Sequence, residues 1–414
     1  MAGNILAQVK GRKSSGVYVS MDSTEVARLR GETEGCAHVT HLNNAGASLP
    51  PRAVTDAVVG HLRLEERIGG YEAAAAQEDR IEHTYDALAR LIGADRREIA
   101  VVENATVAWD MAFHSMRWQP GDRILTARAE YASNAIAFLQ TARRYGVQVD
   151  VVPDDESGRL SPDALRRMLD ERVKLIAVTH VPTQGGLVNP AAEIGAVARE
   201  AGVTYLLDAC QSVGQLPVDV EEIGCDLLSA TGRKYLRGPR GTGFLYCSSR
   251  ILEQLEPPFL DLHSATWTTP DSYEIRHDAR RFENWENYYA GKIGLGVAAD
   301  YALALGLDTT WRRIGQLADT LRHRLRNLPG VTVQDQGASQ CGIVTFTVDG
   351  HDSRDVARAL AAEKINVSVS VAGYARWDLG PGGLASVVRA SVHYFNTDDE
   401  IDLLCATLPA PVSP

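Results

Sequence analysis

The sequence predicts an α/β fold in which a mainly parallel, seven-stranded sheet forms a large domain and a smaller α+β domain follows it. Between about residues 95 and 250, short apolar runs alternate with stretches of helical periodicity, which is typical of βαβ units. After about residue 290 the order becomes αβαββα, which is typical of a small antiparallel α+β unit. The 414 residues also exceed the length at which a single core stops growing, so two domains are expected.

Each element follows from its local pattern, in chain order. The seven predicted strands of the large domain are EIAVVE, DRILTA, VQVDVV, KLIAVTH, TYLLDA, CDLLSA and TGFLYC. The predicted helices between them are Val107–Met116, Ala135–Tyr145, Pro162–Glu171 and Ala191–Ala201. In the second domain we expect a helical region over 291–327, then GIVTFTV, a helix near 353–363, INVSVSV, SVVRASV and a helix near 397–408.

These patterns predict three segments. Residues 1–24 are expected to form a polar tail, residues 25–290 the large domain and residues 291–414 the small domain. The first part of the large domain is a candidate to pack on the small domain. The stretch 255–282 is rich in Pro, Asp and His and predicts a long functional loop. The sequence leaves open whether translation starts at Met1 or at Met21.

Composition excludes several function classes. A net charge of −11 argues against a nucleic-acid surface, because phosphate binding needs clustered Lys and Arg. No apolar run reaches membrane-spanning length, and no signal-peptide pattern follows the basic residues near the start. The six cysteines form no CxxC pair, which favours reduced thiols in the cytoplasm over a zinc site or a disulfide framework. No metal site is predicted.

Two polar residues lie where a ligand site is expected, beyond the carboxyl ends of the strands. Lys234 follows the strand CDLLSA in a Gly-rich turn, where burial and Arg233 would lower its pKa toward a neutral amine. Asp208 ends the strand TYLLDA, where a carboxylate is costly to bury without a partner. The alternatives are a surface lysine in a basic turn and an aspartate that caps its turn.

A longer run around these residues, DACQSVGQLPVDVEEIGCDLLSATGRKYLRGPRGTGFLY, resembles class V aminotransferases, which include cysteine desulfurases and kynureninases. Further pieces match in the same order over roughly 40–410: LNNAGASLPP, ENATVAWDMA, EYASN, THVPTQGGLVNP, RRFENWENYYAGKIGLG and RASVHYFNTDDEID. The resemblance implies the pyridoxal-phosphate (PLP) fold type I, a homodimer, and Lys234 holding PLP as a Schiff base. Asp208 would pair with the pyridinium nitrogen of the cofactor.

The resemblance also implies roles for other positions. Ala105 and Thr106 match the turn that holds the PLP phosphate at a helix N-terminus, where Thr106 is alternatively a plain N-cap. Tyr131 matches the ring that stacks on the pyridine face, and is alternatively a core residue. The other implied cofactor contacts are Thr183 and Gln211 at the phenolic oxygen, and Thr231 and Arg233 near the phosphate.

Arg389 matches the arginine that binds the substrate carboxylate, which implies an amino-acid substrate. Its alternative is a salt bridge on a strand. Asn44 and Tyr71 are candidates for the substrate mouth, although each fits a turn or packing role equally well.

Two departures from the family pattern narrow the function. The loop VSVSVAGYARWDLGPGGLAS lacks the nucleophilic Cys of desulfurases, and RFE is followed by NWENYY instead of a Gly-Thr pair that reaches the phosphate across the dimer. Three pieces are most similar to cysteine S-conjugate lyases, such as those of ergothioneine and lincosamide biosynthesis: RIGGYEAAAA, the SxxxRK…GPRG lysine loop and VRASVHYFNTDDEID.

We therefore predict a PLP-dependent lyase that cleaves the C–S bond of a cysteine S-conjugate in secondary metabolism, with Lys234 removing the Cα proton. One alternative at the same site is transamination, and another is decarboxylation coupled to oxidative deamination. A non-catalytic PLP-binding protein is the alternative of another class. That alternative needs a damaged site or an appended DNA-binding module, and the sequence indicates neither.

Overall fold

The computed structural model describes residues 21–412. Its helices are α1 Ser23–Gly31, α2 Arg52–Ile68, α3 Gly70–Ala76, α4 Glu78–Ile92, α5 Ala105–His114, α6 Ala132–Tyr145, α7 Pro162–Met168, α8 Ala191–Ala201, α9 Val220–Ile223, α10 Tyr289–Leu305, α11 Leu307–Arg326, α12 Ser353–Ala362 and α13 Asp398–Thr407. Its strands are β1 Thr40–His41, β2 Ile99–Val102, β3 Arg123–Thr126, β4 Gln148–Val151, β5 Val173–Thr179, β6 Thr204–Asp208, β7 Leu227–Thr231, β8 Gly243–Cys247, β9 Ala265–Thr269, β10 Ser272–Ile275, β11 Val331–Val333, β12 Ile343–Val348, β13 Ile365–Asn366, β14 Ser368–Val371 and β15 Ser386–Ser391.

A seven-stranded sheet in the order β2-β8-β7-β6-β5-β3-β4 forms the centre of the large part of the chain. The pairs among β3 to β7 are parallel, while β8 runs antiparallel to both of its neighbours. All seven predicted strands are present, and the predicted α/β fold with a mainly parallel sheet is confirmed.

Both faces of the central strands β5 to β8 are buried, which explains why these strands are nearly continuous apolar runs without alternation. Successive residues of a strand point to opposite faces, so Leu207 of β6 lies in one core cluster and Leu206 lies in the other. Tyr205 and Leu207 share the first cluster with α8 residues, and Leu206 shares the second with α5 residues. Helices therefore cover the sheet from both sides.

The parallel register brings the carboxyl ends of three strands to one edge of the sheet. Thr179 of β5 lies opposite Asp208 of β6, and Asp208 lies opposite Ser229 of β7. Lys234 follows β7 within three residues. The candidate residues Asp208 and Lys234 thus meet at the edge where ligands bind in open α/β sheets.

The C-terminal part contains a four-stranded antiparallel sheet in the order β11-β12-β15-β14. The predicted helical region over 291–327 is broken at Gly306, whose φ of 81° separates α10 from α11. The predicted boundary at 290/291 falls in the first turn of α10, and this helix packs against α2 and α4 of the large part. The division into two domains therefore stays a prediction.

Two other predicted segments differ in detail from the structure. The INVSVSV run splits into β13 and β14, because β13 pairs in parallel with β1 while β14 joins the small sheet beside β15. The predicted loop over 255–282 contains the antiparallel hairpin of β9 and β10.

The N-terminal segment of the described chain connects both parts. Most of the predicted polar tail, residues 1–24, lies outside the described residues, and α1 already begins at Ser23 with Asp22 as its N-cap. A salt bridge of 2.9 Å joins Arg30 to Glu400 near the C-terminus. Within residues 21–412, no single helix is both long and apolar enough to cross a membrane, and α10 and α11 meet these two conditions only as a pair that is bent by 81°.

Candidate cofactor site

A cavity of about 470 Å³ opens at the carboxyl edge of the large sheet. This volume is in the usual range for a small-molecule site. All nine residues predicted to contact the cofactor line it: Ala105, Thr106, Tyr131, Thr183, Asp208, Gln211, Thr231, Arg233 and Lys234. Residues that sequence reasoning did not single out also line it, namely Asn104, Val107, Thr179, Val181 and Cys210. The predicted set, drawn from five separate segments, therefore meets in one place.

Lys234 is buried in this cavity, with its Nζ atom 6.0 Å from the centre of the Tyr131 ring. Burial lowers the pKa of Lys234, and the positive charges of Arg233 and Arg389 act in the same direction, whereas Cys210 and Asp208 oppose the shift. A larger fraction of the amine is therefore neutral than on an exposed lysine, as a nucleophile or proton acceptor requires.

The turn that carries Lys234 is fixed by the fully buried Arg237. Its φ of 62° lies in the left-handed region, which is strained for a side chain of this size. Its guanidinium donates to Leu49 O at 2.8 Å, to the Tyr394 hydroxyl at 2.7 Å and to the Thr33 hydroxyl at 2.6 Å. These bonds attach the lysine turn to the N-terminal segment and to the chain that follows β15, and so offset the backbone strain.

Asp208 is buried at the end of β6 and is held by two donors. The backbone N–H of Cys210 donates to Oδ1 at 2.9 Å, and the Asn134 side-chain amide donates to Oδ2 at 3.1 Å. These bonds fix the rotamer of a carboxylate that faces the cavity. A cationic ring nitrogen is a suitable partner for a carboxylate in such a position.

A second buried carboxyl, that of Glu130, lies behind Asp208 and was not singled out from the sequence. Glu130 accepts from the Tyr131 backbone N–H at 2.6 Å, from the Asn134 amide at 3.0 Å and from the Thr126 and Thr179 hydroxyls. Burial raises the pKa of Glu130 to about 7, and the charge of Asp208 adds to this, while its hydrogen bonds oppose it. Its sequence signal was the EYASN piece of the family resemblance, which begins with Glu130 and ends with Asn134.

The N-terminus of α5 forms the anion-binding end of the cavity. Asn104 caps this helix by accepting from Val107 N–H at 3.0 Å, so α5 begins at Ala105, two residues before its predicted start. Gly243 of β8 allows the backbone at the start of α5 to lie close to β8, because a Cβ at this position would lie 2.7 Å from the Asn104 carbonyl carbon. The first-turn N–H groups and the exposed Thr106 hydroxyl suit a phosphate.

Gln211 and Thr183 form the polar side of the cavity. The Gln211 amide donates to Ala45 O at 3.0 Å and to the Thr183 hydroxyl at 3.2 Å. Its oxygen, Oε1, is buried without a hydrogen-bond partner in the described structure. An acceptor in such a position favours a ligand that brings a donor.

Arg389 of β15 approaches the same side from the small sheet. Its guanidinium donates to the Thr183 carbonyl at 3.1 Å, to the Thr183 hydroxyl at 2.5 Å and to the Asn43 side-chain oxygen at 3.3 Å, while its Nε has no partner. Among residues 21–412 it forms no salt bridge, which leaves its charge without a protein counter-ion. Burial lowers the pKa of Arg389 to about 10. A ligand carboxylate would supply the missing partner.

The two candidates for the substrate mouth are not brought to the cavity. Asn44 is fully buried, and its amide donates to the carbonyls of His41 and Ser391, so it connects the N-terminal segment to β15. Its neighbour Asn43 contacts Arg389 instead. Tyr71 lies 78% exposed on α3, away from the cavity lining. A substrate role for Asn44 and Tyr71 thus stays a prediction that this geometry does not favour.

The donor set of the cavity fits PLP. A helix N-terminus suits the phosphate, the Gln211 and Thr183 side chains suit the phenolic oxygen, and Asp208 suits the ring nitrogen. Lys234 lies among them with a depressed pKa. Two observations support this fit. The Gln211 Oε1 atom is an acceptor without a partner, and the backbone at Gly243 lies so close to Asn104 that only glycine is tolerated there.

The family model described as aminotransferase class-V matches residues 40–404. The chain belongs to this family. It is therefore a PLP-dependent class V enzyme, and the predictions of an enzyme and of this cofactor are confirmed. A probable cysteine desulfurase of Methanothermobacter thermautotrophicus is 32% identical over 344 residues, which cover 82% of this chain and 86% of that protein.

Solved structures of class V enzymes share the fold. The apo structure of a cysteine desulfurase from Thermococcus onnurineus NA1 is similar with a TM-score of 0.85 and 25% identity, over 92% of this chain and 96% of that one. A cystine C-S lyase in complex with its reaction product, cysteine persulfide, is similar with a TM-score of 0.82 and 26% identity, over 90% of this chain and 98% of that one. The narrower resemblance to the S-conjugate lyases of ergothioneine and lincosamide biosynthesis stays a prediction.

Replacing Lys234 by Ala is expected to abolish turnover and the visible absorbance of lysine-bound cofactor, because no other lysine lines the cavity in the described chain. The absorbance spectrum after incubation with PLP measures this loss. Lys174→Ala, which changes an exposed lysine of β5, is the matched control and is expected to keep the wild-type spectrum. An unchanged spectrum in the Lys234→Ala protein would contradict the assignment.

Proposed function

We propose that this class V enzyme cleaves the C–S bond of a cysteine-type amino acid by β-elimination, without forming a persulfide on the protein. The observation that carries the proposal is the position of the thiols. All six cysteines lie within the described residues, and only Cys210 lines the cavity. Burial and the charge of Asp208 raise the pKa of the Cys210 thiol well above its usual value, so it is a poor nucleophile.

Arg389 supports an amino-acid substrate. Its buried guanidinium lacks a protein counter-ion in the described chain and donates to Thr183, which lines the cavity. A bidentate pair with an α-carboxylate would fix the Cα–H bond relative to Lys234. Lys234, whose pKa is depressed, would then take the Cα proton as a general base.

The cofactor, when bound, withdraws electrons from Cα and so makes this proton acidic. The groups of the chain then have separate tasks: Lys234 takes and returns a proton, Asp208 holds the charge at the ring nitrogen, and Arg389 orients the carboxylate. The Cα–H and Cβ–S bonds break, the sulfur leaves as a thiolate or persulfide, and the released 2-aminoacrylate is hydrolysed to pyruvate and ammonia.

A cysteine S-conjugate of secondary metabolism is the substrate class that we infer, and the similarity to a cystine C-S lyase supports the reaction type. Cysteine desulfuration is the second candidate, because similar proteins carry that name. Among the described thiols, Cys210 is the one that a persulfide route within the cavity would have to use. Transamination and decarboxylation coupled to oxidative deamination would use the same residues and differ in their products.

We also propose a homodimer. Large apolar side chains are exposed around one crevice: Trp285 lines it together with Ala74 and Ala75 of α3, and Phe259 and Leu262 flank Asp261, whose carboxylate accepts from Trp285 N–H at 2.7 Å. Phe259 and Leu262 are each 73% exposed. Clustered apolar exposure of this kind is typical of a protein interface, and a second copy of the chain is the partner that we infer.

Incubating the holoenzyme with L-cystine, S-alkyl-cysteines and L-cysteine is expected to give pyruvate in equal amounts with the released persulfide, thiol and hydrogen sulfide, respectively. Cys210→Ala is expected to keep at least half of this activity, since the thiol takes no sulfur. Alanine as the product from cysteine, together with loss of turnover in Cys210→Ala, would instead establish desulfuration. Carbon dioxide with an aldehyde would indicate decarboxylation, and conversion of a keto acid would indicate transamination.

Replacing Arg389 by Gln is expected to raise the KM for the amino-acid substrate by about 10- to 100-fold, since a charge-assisted bond contributes about 1.5–3 kcal/mol. Steady-state kinetics measure this, and Arg389→Lys is expected to recover part of the loss. Arg354→Gln, on the exposed side of α12, is the control. An unchanged KM in the Arg389→Gln protein would contradict the proposal that Arg389 binds the substrate carboxylate.

Sedimentation is expected to give twice the mass of the chain, and Trp285→Glu is expected to weaken the dimer because it places a charge in the apolar contact. Ile136→Glu, which changes another exposed apolar residue, on α6, is the control. A monomer at micromolar concentration in the wild-type protein would contradict the homodimer.

A further inference from the structure

One amide nitrogen connects two buried carboxyl groups behind the cofactor cavity. Asn134 Nδ2 lies 3.0 Å from Glu130 Oε1 and 3.1 Å from Asp208 Oδ2. An NH₂ group carries two hydrogens, so Asn134 can donate one to each carboxyl at the same time. Both carboxyl side chains and the Asn134 amide between them are buried. Asn134 therefore links the two acids through its hydrogen bonds.

Glu130 is held in place by donors from three elements. The Thr126 hydroxyl at the end of β3 donates to Oε2 at 3.0 Å, and the Thr179 hydroxyl at the end of β5 donates to Oε1. The Tyr131 N–H, immediately before α6, donates to Oε1 at 2.6 Å. Four donors favour the ionised carboxylate, while complete burial and the neighbouring Asp208 favour the protonated form. These opposing effects leave the charge of Glu130 free to change near neutral pH.

We infer that Glu130 and Asn134 are positioning residues for the cofactor, which act through Asp208. Asn134 fixes the orientation of the Asp208 carboxylate, and the charge of Glu130 sets the negative potential around that carboxylate. An ionised Glu130 strengthens the hold of Asp208 on a protonated ring nitrogen, and a protonated Glu130 weakens it. The inference rests on the cofactor and on the position of Asp208, and it holds for any substrate.

The groups around Glu130 are consistent with this role. Burial raises the pKa of Glu130 to about 7, with Asp208 as the charged neighbour that adds to the shift. His180, after β5, remains neutral because burial lowers its pKa to about 4. Arg128, two residues before Glu130, is paired with Asp154 at 3.2 Å, and Lys234 faces Asp208. Of Glu130, His180 and Arg128, Glu130 is thus the group whose pKa lies near neutral pH.

The test is a pH titration of the visible absorbance of the holoenzyme without substrate. Glu130→Gln keeps the shape of the side chain and an acceptor for Tyr131 N–H and Asn134, but it cannot ionise. Above pH 7 the variant lacks the negative charge that Glu130 carries in the wild-type protein. The pH at which half of the cofactor absorbance change has occurred is therefore expected to be about one unit lower in the variant than in the wild type. Below pH 6 the two spectra are expected to coincide, because Glu130 is then protonated in the wild-type protein.

Three further variants separate this role from a merely structural one. Glu130→Asp retains a titrating carboxyl and is expected to recover part of the shift, whereas Asn134→Leu is expected to lower the midpoint with Glu130 intact. In an Asp208→Asn background, Glu130→Gln is expected to add no shift, since the two changes are coupled. Asp110→Asn, which removes another carboxyl whose pKa burial raises, is the control.

An equal shift in the Asp208→Asn background would overturn the inference, and so would an unchanged midpoint in the Glu130→Gln protein. If Glu130→Gln does not fold, the midpoint of the absorbance change in the Asn134→Leu protein tests the same inference. Because no substrate is present, a failed lyase assay leaves this result unaffected, and an absent spectral shift leaves the proposed reaction unaffected.

Discussion

The carboxylate of Asp208, buried at the end of a parallel strand, is the constraint on which the rest of the site depends. A buried carboxylate is unfavourable unless donors or a cation compensate it. Here the donors come from the Cys210 backbone and from Asn134, 74 residues earlier in the chain. The requirement to satisfy this one charge therefore fixes the turn after β6, the start of α6 and, through Glu130, the ends of β3 and β5.

The site also depends on contact between the two sheets of the chain. Arg389 belongs to the small sheet, yet it donates to Thr183 at the edge of the large one. Arg237 acts in the other direction, from the lysine turn to Tyr394 beyond β15. Pairing of β1 with β13 joins the N-terminal segment to the same region. The position of Arg389 relative to Lys234 thus depends on contacts between the two sheets.

Electrostatics assign different tasks to neighbouring groups in one cavity. Burial lowers the pKa of Lys234 and raises that of the Cys210 thiol, so the same environment favours a basic amine and disfavours a thiolate. This difference is the physical basis of our proposal that Lys234 promotes elimination and that no sulfur is transferred to the protein. The proposal is compatible with relatives named as desulfurases, because C–S cleavage by elimination needs no nucleophilic thiol.

The sequence by itself determined the seven strands of the large sheet, because the strands buried on both faces are apolar runs and helical stretches alternate with the strands along the chain. It also placed Lys234 and Asp208 through their positions after those strands, and it placed seven further residues of the same cavity through the resemblance to class V aminotransferases. Only the tertiary structure decided where the helical region breaks, at Gly306, and how INVSVSV divides between two sheets. It also showed that Asn43, and not the predicted Asn44, contacts Arg389, and it brought Glu130 close to Asp208. Each of these depends on partners distant in the chain, such as Asn134 and Asp208. A local pattern indicates whether a residue is buried, but not which distant side chain satisfies its charge.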